Sequence, residues 1–375
     1  MNRYYNPVRT VQGPGALGQL PELVEELSPK GHILLLLYCR DLLEHPAVQR
    51  LCSQWGSRVD VCCFGQSNPN VEQLYQMYQE TRELEIGLVI AIGGGSTLDV
   101  GKSLCCLYAS PVDSVEQLRE KIATKDYNRP ACPWIGVPTT AGTGSEVTSW
   151  ATIWDPQLGR KYSIDTPANY AYAALVDPLL LGSMPLALAV SSALDAAAHA
   201  AESYWAKASN MASKALALEA IRLVMGHMEE LLADPRSPGA CDAMSQGSLL
   251  AGLAFSNTRT TACHSISYPL TMDYGIPHGA AVSLLLAPVA ALNCGAAADA
   301  RPLFTAFGVS GARELGEKIT GILSRAGYPV SLGQWGIERQ ALPQLAERGI
   351  TKGRADNNPV ELTPQIVLEI LTGLL

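Results

Sequence analysis

The sequence predicts an α/β domain over residues 1–177 followed by an all-α domain over residues 178–375. The first part contains short apolar runs of strand length at residues 32–38, 58–64 and 87–93. Each run precedes a segment of helical periodicity, and this alternation is typical of a parallel sheet with crossover helices. From Pro178 onward the strand signals stop and alanine- and leucine-rich helical patterns take over.

Four more strand-like segments continue the α/β pattern up to the predicted boundary. They are WIGVPTT at 134–140, ATIWD at 151–155, KYSID at 161–165 and AALVD at 173–177. Neither an internal repeat nor a low-complexity linker separates the two halves. We therefore expect the domains to pack directly, with the functional site in the cleft between them.

Composition excludes several classes of function. With 375 residues, 47% hydrophobic and 17% charged, the chain is expected to fold compactly. A net charge of −8 argues against nucleic acid as a partner. The N-terminal residues have no apolar core region, so we expect no signal peptide, and the longest apolar stretch, residues 280–292, is too short for a membrane span. Ten cysteines without a Cys-x-x-Cys pair predict the reduced thiols of a cytoplasmic protein. We also expect the chain to form a homodimer.

A glycine-rich turn, GGGS at residues 93–96, follows the strand at 87–93 and opens a helical segment. Glycines let the backbone approach a phosphate, and a helix N-terminus supplies unpaired N–H donors. Ser96 and Asp99 suit helix-capping positions. A simple tight turn is the alternative, because the full Gly-x-Gly-x-x-Gly pattern is missing.

A second loop, TTAGTGSEVT at residues 139–148, follows the strand-like segment WIGV. Its dense small and hydroxyl side chains predict a polar loop that wraps a nucleotide. A surface turn rich in serine and threonine is the alternative.

Asp195 and His199 lie four residues apart in an alanine-rich segment, which places both on one face if the segment is helical. A buried carboxylate there needs a positive partner. His264 and His278 follow fourteen residues apart, and three imidazoles with one carboxylate suit Fe(II), Zn or Mn. The alternative is a hydrogen-bonded Asp195–His199 pair with the other histidines in the core or in loops.

Five features of the sequence resemble, in their order and spacing, the motifs of iron-dependent (group III) alcohol dehydrogenases. They are GGGSTLDVGKS, PTTAGTGSEVT, the Asp195–His199 pair, His264 and the PHG at 277–279. The similarity extends from NPVRTVQGPGAL to NNPVELTPQIVLEIL, nearly the whole chain. It implies a dehydroquinate synthase-like fold, with an N-terminal dinucleotide-binding domain and a helical domain that binds metal and substrate.

The resemblance also implies the site residues. The metal ligands are Asp195, His199, His264 and His278, and His278 is also assigned to catalysis. Together with Asp99, the cofactor-binding residues are Asn68, Gly94, Gly95, Ser96, Thr139, Thr140, Gly142, Thr143 and Lys161. For Asn68 and Lys161 a surface role is the alternative. The expected cofactors are Fe(2+), with Zn(2+) as the alternative, and NAD or NADP.

One position departs from the family pattern. These dehydrogenases often carry a histidine four residues after the third ligand, proposed to relay protons, and here Tyr268 occupies that position. We expect Tyr268 either to join a proton relay or to line the pocket. Cys39 stands where relatives that prefer NAD carry an acid, with Arg40 beside it and Asp41 two residues on. This predicts tolerance of NADP(H).

The segment NTRTTACHSISYPLT resembles the phosphonoacetaldehyde reductase branch of the family. Arg259, five residues before His264, is a candidate anchor for an anionic substrate, and a salt bridge elsewhere is its alternative role.

The expected activity is the metal-dependent interconversion of a small aldehyde and its primary alcohol, with phosphonoacetaldehyde as one candidate. The alternatives are a polyol, glycerol or short-chain alcohol dehydrogenase, and a non-catalytic nucleotide-binding regulator. A metal-free maleylacetate reductase or a dehydroquinate synthase fits less well, because the ligand set is complete and basic residues are few.

Overall fold

The computed structural model describes residues 3–127, 129–293 and 299–375. The chain forms two compact units. The α/β unit comprises Asn6–Thr140 and Ser145–Leu180, and the helical unit comprises Ala141–Gly144 and Leu181–Leu375 together with the N-terminal residues up to Tyr5. The predicted boundary between residues 177 and 178 stays a prediction.

A parallel sheet forms the centre of the α/β unit, as the sequence predicts. In the described residues the strands are β1 (Arg9–Gln12), β2 (His32–Leu37), β3 (Val59–Cys63), β4 (Ile86–Gly93), β5 (Trp134–Pro138), β6 (Trp150–Asp155), β7 (Arg160–Asp165) and β8 (Ala173–Val176). The sheet order is β1-β8-β5-β4-β2-β3, with every pairing parallel. Strands β6 and β7 pair antiparallel outside this sheet, and β1 is a strand that the sequence analysis does not predict.

The central strands are apolar on both faces because helices cover both faces. Ile33, Leu35 and Leu37 of β2 belong to one apolar cluster, and Leu34 and Leu36 belong to another. All five are fully buried. Alternate residues of a strand point to opposite faces, so a continuous run of apolar residues is the signature of a sheet covered on both sides.

Helices alternate with these strands. They are α1 (Leu20–Leu27), α2 (Pro46–Trp55), α3 (Val71–Thr81), α4 (Gly95–Ala109) and α5 (Val115–Thr124). Asn70 begins α3 with a capping box, since its side chain accepts from the Gln73 N–H and Gln73 accepts from its backbone N–H.

The helical unit is built around the alanine-rich helix α6. Its helices are α6 (Leu186–Trp205), α7 (Met211–Gly226), α8 (Met228–Ala233), α9 (Pro238–Thr258), α10 (Ala262–Tyr274), α11 (His278–Asn293), α12 (Arg301–Phe307), α13 (Ala312–Arg325), α14 (Leu342–Arg348) and α15 (Pro364–Gly373). Helix α6 packs against α7, α9 and α11. None of the helices in the described ranges combines the length and the apolar character needed to cross a bilayer.

The cysteines in the described ranges are free thiols, five of them buried. Cys294, the tenth cysteine, lies outside the described residues.

Candidate metal centre

Helix α6 carries two of the predicted ligands and holds both in its buried interior. Asp195 and His199 lie one turn apart on α6, and only 4% and 6% of their surfaces are exposed. The neighbouring alanines of this helix are fully buried. Because alanine is small, the helices that pack against α6 come close enough to bring their own side chains to this face.

Two more imidazoles reach this region from other helices. His264 lies in the first turn of α10, and His278 is the first residue of α11. The His264 ring centroid is 4.2 Å from that of His199 and 5.4 Å from that of His278. The structure therefore brings the four predicted ligands into one neighbourhood of the helical unit.

Three of these side chains direct polar atoms toward one another without bonding. His264 Nε2 is 3.5 Å from Asp195 Oδ1, and His199 Nδ1 is 3.7 Å from Asp195 Oδ2. Within the described residues, Asp195 Oδ1, His199 Nδ1 and His264 Nε2 have no hydrogen-bond partner. A buried polar atom without a partner costs about 1–3 kcal/mol. Three such atoms at one point indicate that a ligand completes the site.

The spacing and the donor types fit a divalent transition metal. One donor atom from each of Asp195, His199 and His264 lies within 4.8 Å of the other two. Bonds of about 2.0–2.2 Å to one ion hold neighbouring donors roughly 3–3.5 Å apart. A simple hydrogen-bonded Asp195–His199 pair fits less well, because these two side chains approach only to 3.7 Å.

Burial and charge give Asp195 and His199 the protonation states that bind a metal, whereas for His264 the carboxylates of Glu202 and Asp195 outweigh the effect of burial and raise the pKa. Burial lowers the pKa of His199 to about 4, so its ring is neutral near pH 7. Burial alone would raise the pKa of Asp195, but attraction to His199 and the other histidines outweighs it and lowers this pKa below its ordinary value. A carboxylate and neutral imidazoles are the forms that coordinate a cation.

Glu202 is a functional candidate that the sequence analysis misses. Its Oε2 lies 2.5 Å from His264 Nδ1, and its Oε1 accepts from the Thr261 hydroxyl and from the Cys263 and His264 N–H groups. Burial would raise the pKa of Glu202, but the contact with His264 lowers it, so the group is an anion at neutral pH. The signal was its spacing, since Glu202 lies three residues after His199 and seven after Asp195 on one helix.

Two glycines let the backbone approach helix α6. A Cβ at Gly279, next to His278, would lie 2.1 Å from the Ser191 carbonyl oxygen. A Cβ at Gly142 would lie 2.9 Å from the Ser192 carbonyl oxygen, and the Gly142 backbone hydrogen bonds to His199. Both positions therefore require glycine for contact and not for backbone conformation.

Tyr268 and Arg259 lie on the segments that flank His264. Tyr268 is buried, its ring stacks 6.1 Å from that of His278, and burial raises its pKa to about 12. The phenol is therefore protonated at neutral pH. Arg259 follows α9 as its C-terminal capping residue, with a φ of 65°.

In the α/β unit, the predicted phosphate turn opens helix α4. Gly94 is the N-terminal capping residue, and no side chain caps this helix, so the expected capping by Ser96 and Asp99 is wrong. The Ser96 hydroxyl instead accepts from the Asn68 N–H at 3.1 Å. The Asp99 carboxylate accepts from the Ser145 hydroxyl at 2.6 Å and from the Thr152 N–H at 2.8 Å.

The two predicted nucleotide segments lie side by side where β4 and β5 end. The Thr139 N–H donates to the Gly93 carbonyl at 3.0 Å, and a Cβ on Gly94 would lie 3.3 Å from Thr140 Cγ2. Gly95 is the first residue of α4. This is the carboxyl edge of a parallel sheet, where such folds bind ligands.

Three further predicted cofactor residues belong to other segments of the chain. Gly142 and Thr143 belong to the helical unit, and Thr143 is exposed. Lys161 lies in β7, with its Nζ 5.1 Å from the centre of the Trp154 ring.

Comparison with known proteins gives consistent matches over both units. Residues 7–178 match the model described as iron-containing alcohol dehydrogenase, and residues 189–375 match the C-terminal model of the Fe-containing alcohol dehydrogenase family.

Individual relatives cover nearly the whole chain. Long-chain-alcohol dehydrogenase 1 of Geobacillus thermodenitrificans is 30% identical over 91% of this chain and 88% of its own. Sulfoacetaldehyde reductase of Bilophila wadsworthia is 28% identical over 98% of this chain and 97% of its own. A crystal structure of sulfoacetaldehyde reductase from Bifidobacterium kashiwanohense in complex with NAD+ superposes with a TM-score of 0.89, at 27% identity, over 100% of this chain and 98% of that one.

The motifs, the parallel sheet with its helical unit, and the matches to both halves agree. The chain belongs to the iron-containing alcohol dehydrogenase family.

Proposed function

We propose that this protein is a metal-dependent oxidoreductase that catalyses the reaction aldehyde + NAD(P)H + H+ ⇌ primary alcohol + NAD(P)+. The observation that carries the proposal is the convergence of Asp195 Oδ1, His199 Nδ1 and His264 Nε2, all buried and unpaired within the described chain. His278, whose ring is 5.4 Å from that of His264, is the fourth proposed ligand.

Iron(II) is the metal that we favour, because a five- or six-coordinate ion with four protein ligands keeps a position open for substrate. Once bound, such an ion supplies Lewis acidity toward a carbonyl oxygen, and the nicotinamide supplies the hydride. The chain itself holds the imidazoles in place, excludes water through its alanine-rich surroundings and keeps the Tyr268 phenol protonated. Tyr268 is proposed as a hydrogen-bond donor beside His278.

For the cofactor, we propose the turn that opens α4 as the pyrophosphate site. Gly94 and Gly95 leave room for the phosphates, the helix N-terminus lacks a side-chain cap, and Thr140 lies alongside. Because Cys39 and Arg40 follow β2 in place of an acid, we propose that NADP(H) is accepted as well as NAD(H). Steady-state constants for both cofactors test this, and a preference for NAD(H) above about a hundredfold (roughly 2.8 kcal/mol) contradicts it.

For the substrate, we propose a short aldehyde that carries an anionic group. The sulfoacetaldehyde reductases among the relatives act on an aldehyde of this kind, which supports the proposal. Arg259 was the sequence-based candidate for the anchor, and phosphonoacetaldehyde the candidate substrate. Neutral aliphatic aldehydes and polyols are the competing substrates.

The experiment that tests the activity is a reductase panel with the Fe(II)-loaded protein. The panel combines each aldehyde with NADH and with NADPH, and the absorbance of the reduced nicotinamide reports its oxidation. The aldehydes are phosphonoacetaldehyde, sulfoacetaldehyde, succinic semialdehyde, lactaldehyde and butanal. We expect turnover of at least one aldehyde that stops when a chelator removes the metal. No turnover with any of them, in protein that carries iron, contradicts the proposed function. Light scattering of the same protein tests the expected homodimer.

A further inference from the structure

A second arginine, Arg354, lies close to the candidate metal centre, although the sequence analysis does not single it out. The guanidinium of Arg354 lies 5.2 Å from the centre of the Tyr268 ring, and that ring stacks on His278. Arg354 is half-buried, and its positive charge partly opposes the effect of burial, which raises the pKa of the Tyr268 phenol. It therefore lies one aromatic ring away from a proposed metal ligand.

Arg354 makes neither an ion pair nor a side-chain hydrogen bond with any residue of the described ranges. Most arginines that are not fully exposed bind a carboxylate or a carbonyl, because desolvating a guanidinium without an acceptor is unfavourable. Five N–H donors are thus left available beside Tyr268.

The loop that carries Arg354 is anchored to the helices of the site. The Ser265 hydroxyl, next to His264, donates to the Gly349 carbonyl and accepts from the Thr351 N–H. The Asn357 side chain donates to the Thr258 and Thr260 carbonyls at 2.7 and 3.1 Å. These contacts fix both sides of the loop, so the guanidinium is held in place before a ligand arrives.

The charges of the buried side chains also indicate that Arg354 binds an anion. Asp195 and Glu202 are the two buried carboxylates of the centre, and together they balance one divalent cation. The charge of Arg354 is then left without a counter-charge in the described part of the site. An anionic substrate group would supply it.

We propose that Arg354 is the specificity-determining residue that binds the anionic end of the substrate, a two- to four-carbon aldehyde with a terminal phosphonate, sulfonate or carboxylate. This inference rests on the proposed aldehyde reductase function and replaces Arg259 with Arg354 as the anchor. The fork of N–H donors matches two oxygens of such a group, while Tyr268 supplies the wall between that group and His278.

The test compares Arg354→Gln, Arg354→Lys and Arg259→Gln, with Arg339→Gln as the matched control. Arg339 is exposed in the same helical unit and makes no side-chain bond in the described chain. For each Fe(II)-loaded variant, kcat/KM is measured with phosphonoacetaldehyde, sulfoacetaldehyde and succinic semialdehyde, and with the neutral aldehydes propanal and butanal. The quantity of interest is the ratio of anionic to neutral kcat/KM.

We expect wild type to prefer an anionic aldehyde, and Arg354→Gln to lower the anionic-to-neutral ratio by about 10- to 100-fold, as loss of a charged hydrogen bond predicts. Arg354→Lys should recover part of the ratio, and Arg339→Gln should match wild type. The arm with the largest ratio identifies phosphonate, sulfonate or carboxylate as the preferred group. Calorimetric binding of 2-hydroxyethylphosphonate to the holoenzyme with NAD+ should weaken in parallel.

Two results overturn the inference while leaving the proposed function intact. One is turnover of neutral aldehydes with no preference for any anionic one in wild type. The other is an unchanged ratio in Arg354→Gln, or a loss confined to Arg259→Gln. A wild-type protein that carries iron and reduces no aldehyde contradicts the proposed function itself, and calorimetry with the phosphonate alcohol then still reports whether Arg354 binds the anion.

Discussion

Glu202 shows at the scale of one residue how the centre is held in place. Its two carboxylate oxygens accept from a ring nitrogen of His264 and from two backbone N–H groups at the start of α10. These bonds fix both the tautomer and the orientation of the ring, so that Nε2 is the nitrogen that faces Asp195. A ligating histidine whose other nitrogen binds a carboxylate is typical of metal sites in proteins.

We predict that Glu202→Gln weakens metal binding by about 10- to 100-fold, since a neutral amide holds the imidazole less firmly and lowers its basicity. The measurement is the metal dissociation constant from competition with a chelator, which does not depend on turnover. Glu219→Gln is the control, because Glu219 is an exposed glutamate of the same unit whose one ion-pair partner among the described residues is Arg222. Equal affinity in the Glu202 and Glu219 variants would show that Glu202 has no positioning role.

Glu146 is a buried acid of the α/β unit whose protonation affects stability. Burial raises its pKa to about 7, while Lys102 partly opposes the shift. The folded state therefore keeps a proton that the unfolded state, with a pKa of 4.5, releases. Stability from this group is present below pH 4.5 and is lost as the pH rises toward 7.

We predict that Glu146→Gln removes this loss. Each pKa unit corresponds to about 1.4 kcal/mol, so between pH 4.5 and 7 the wild type should lose roughly 3 kcal/mol more unfolding free energy than the variant. Urea unfolding across this pH range measures the difference, with the exposed Glu120→Gln as the control. Parallel pH profiles of wild type and Glu146→Gln would contradict the assignment.

The residues that the sequence could predict differ in kind from those that it could not. Asp195 and His199 were predicted because four-residue spacing on one helix is a local property. His264 and His278 were added because three imidazoles with one carboxylate suit a metal, and the resemblance implies the same four ligands. Glu202 and Arg354 act through contacts with residues 62 and 86 positions away, so no local spacing identifies them. That is why the sequence analysis chose Arg259 and passed over Arg354.

At the scale of elements, Lys102 connects helix α4 by hydrogen bonds to the loop before β6 and to the first residue of β6. Its Nζ donates to the Thr148 hydroxyl and carbonyl and to the Trp150 carbonyl at 2.7–3.2 Å, with the Asp99 carboxylate 3.5 Å away. The side chain is fully buried, and burial lowers its pKa. These bonds hold α4, whose first turn is the proposed phosphate site, against the segment that follows the nucleotide loop.

We predict that Lys102→Met lowers the unfolding free energy by about 3–5 kcal/mol, because it leaves the acceptors and Asp99 buried without their donor. Urea unfolding monitored by circular dichroism measures the loss. Lys30→Met, at an exposed lysine of the same unit, should change stability by less than about 0.5 kcal/mol. If Lys102→Met lowered the unfolding free energy by less than about 1 kcal/mol, the hydrogen bonds of Lys102 would contribute little to stability.

The strands show what an element's sequence reveals. β2 and β4 were predicted because runs of leucine, isoleucine and valine fit a sheet covered on both faces. β6 and β7 were predicted as strands, but their pairing outside the main sheet was not, since strand signals carry no information about partners. β1 has only four residues, three of them exposed, so its hydrophobic pattern is weak.

At the scale of the whole molecule, each unit has its own core and its own candidate site. The α/β unit presents the glycine turn at the end of β4, and the helical unit encloses the donor atoms around α6. The dehydrogenase function that we propose needs both candidate sites. The Lewis acidity of the metal is the one contribution that no side chain of the candidate centre replaces.

The central claim is therefore that Asp195, His199, His264 and His278 bind a catalytic metal. Elemental analysis and aldehyde-dependent oxidation of NAD(P)H, on the same preparations of wild type, Asp195→Ala and His264→Ala, test it most directly. Wild type should carry about one metal ion per chain, and both variants should lose the metal and the turnover together. His227→Ala, which alters a half-buried histidine at the end of α7, should behave as wild type. Full metal occupancy with retained activity in both ligand variants would contradict the account.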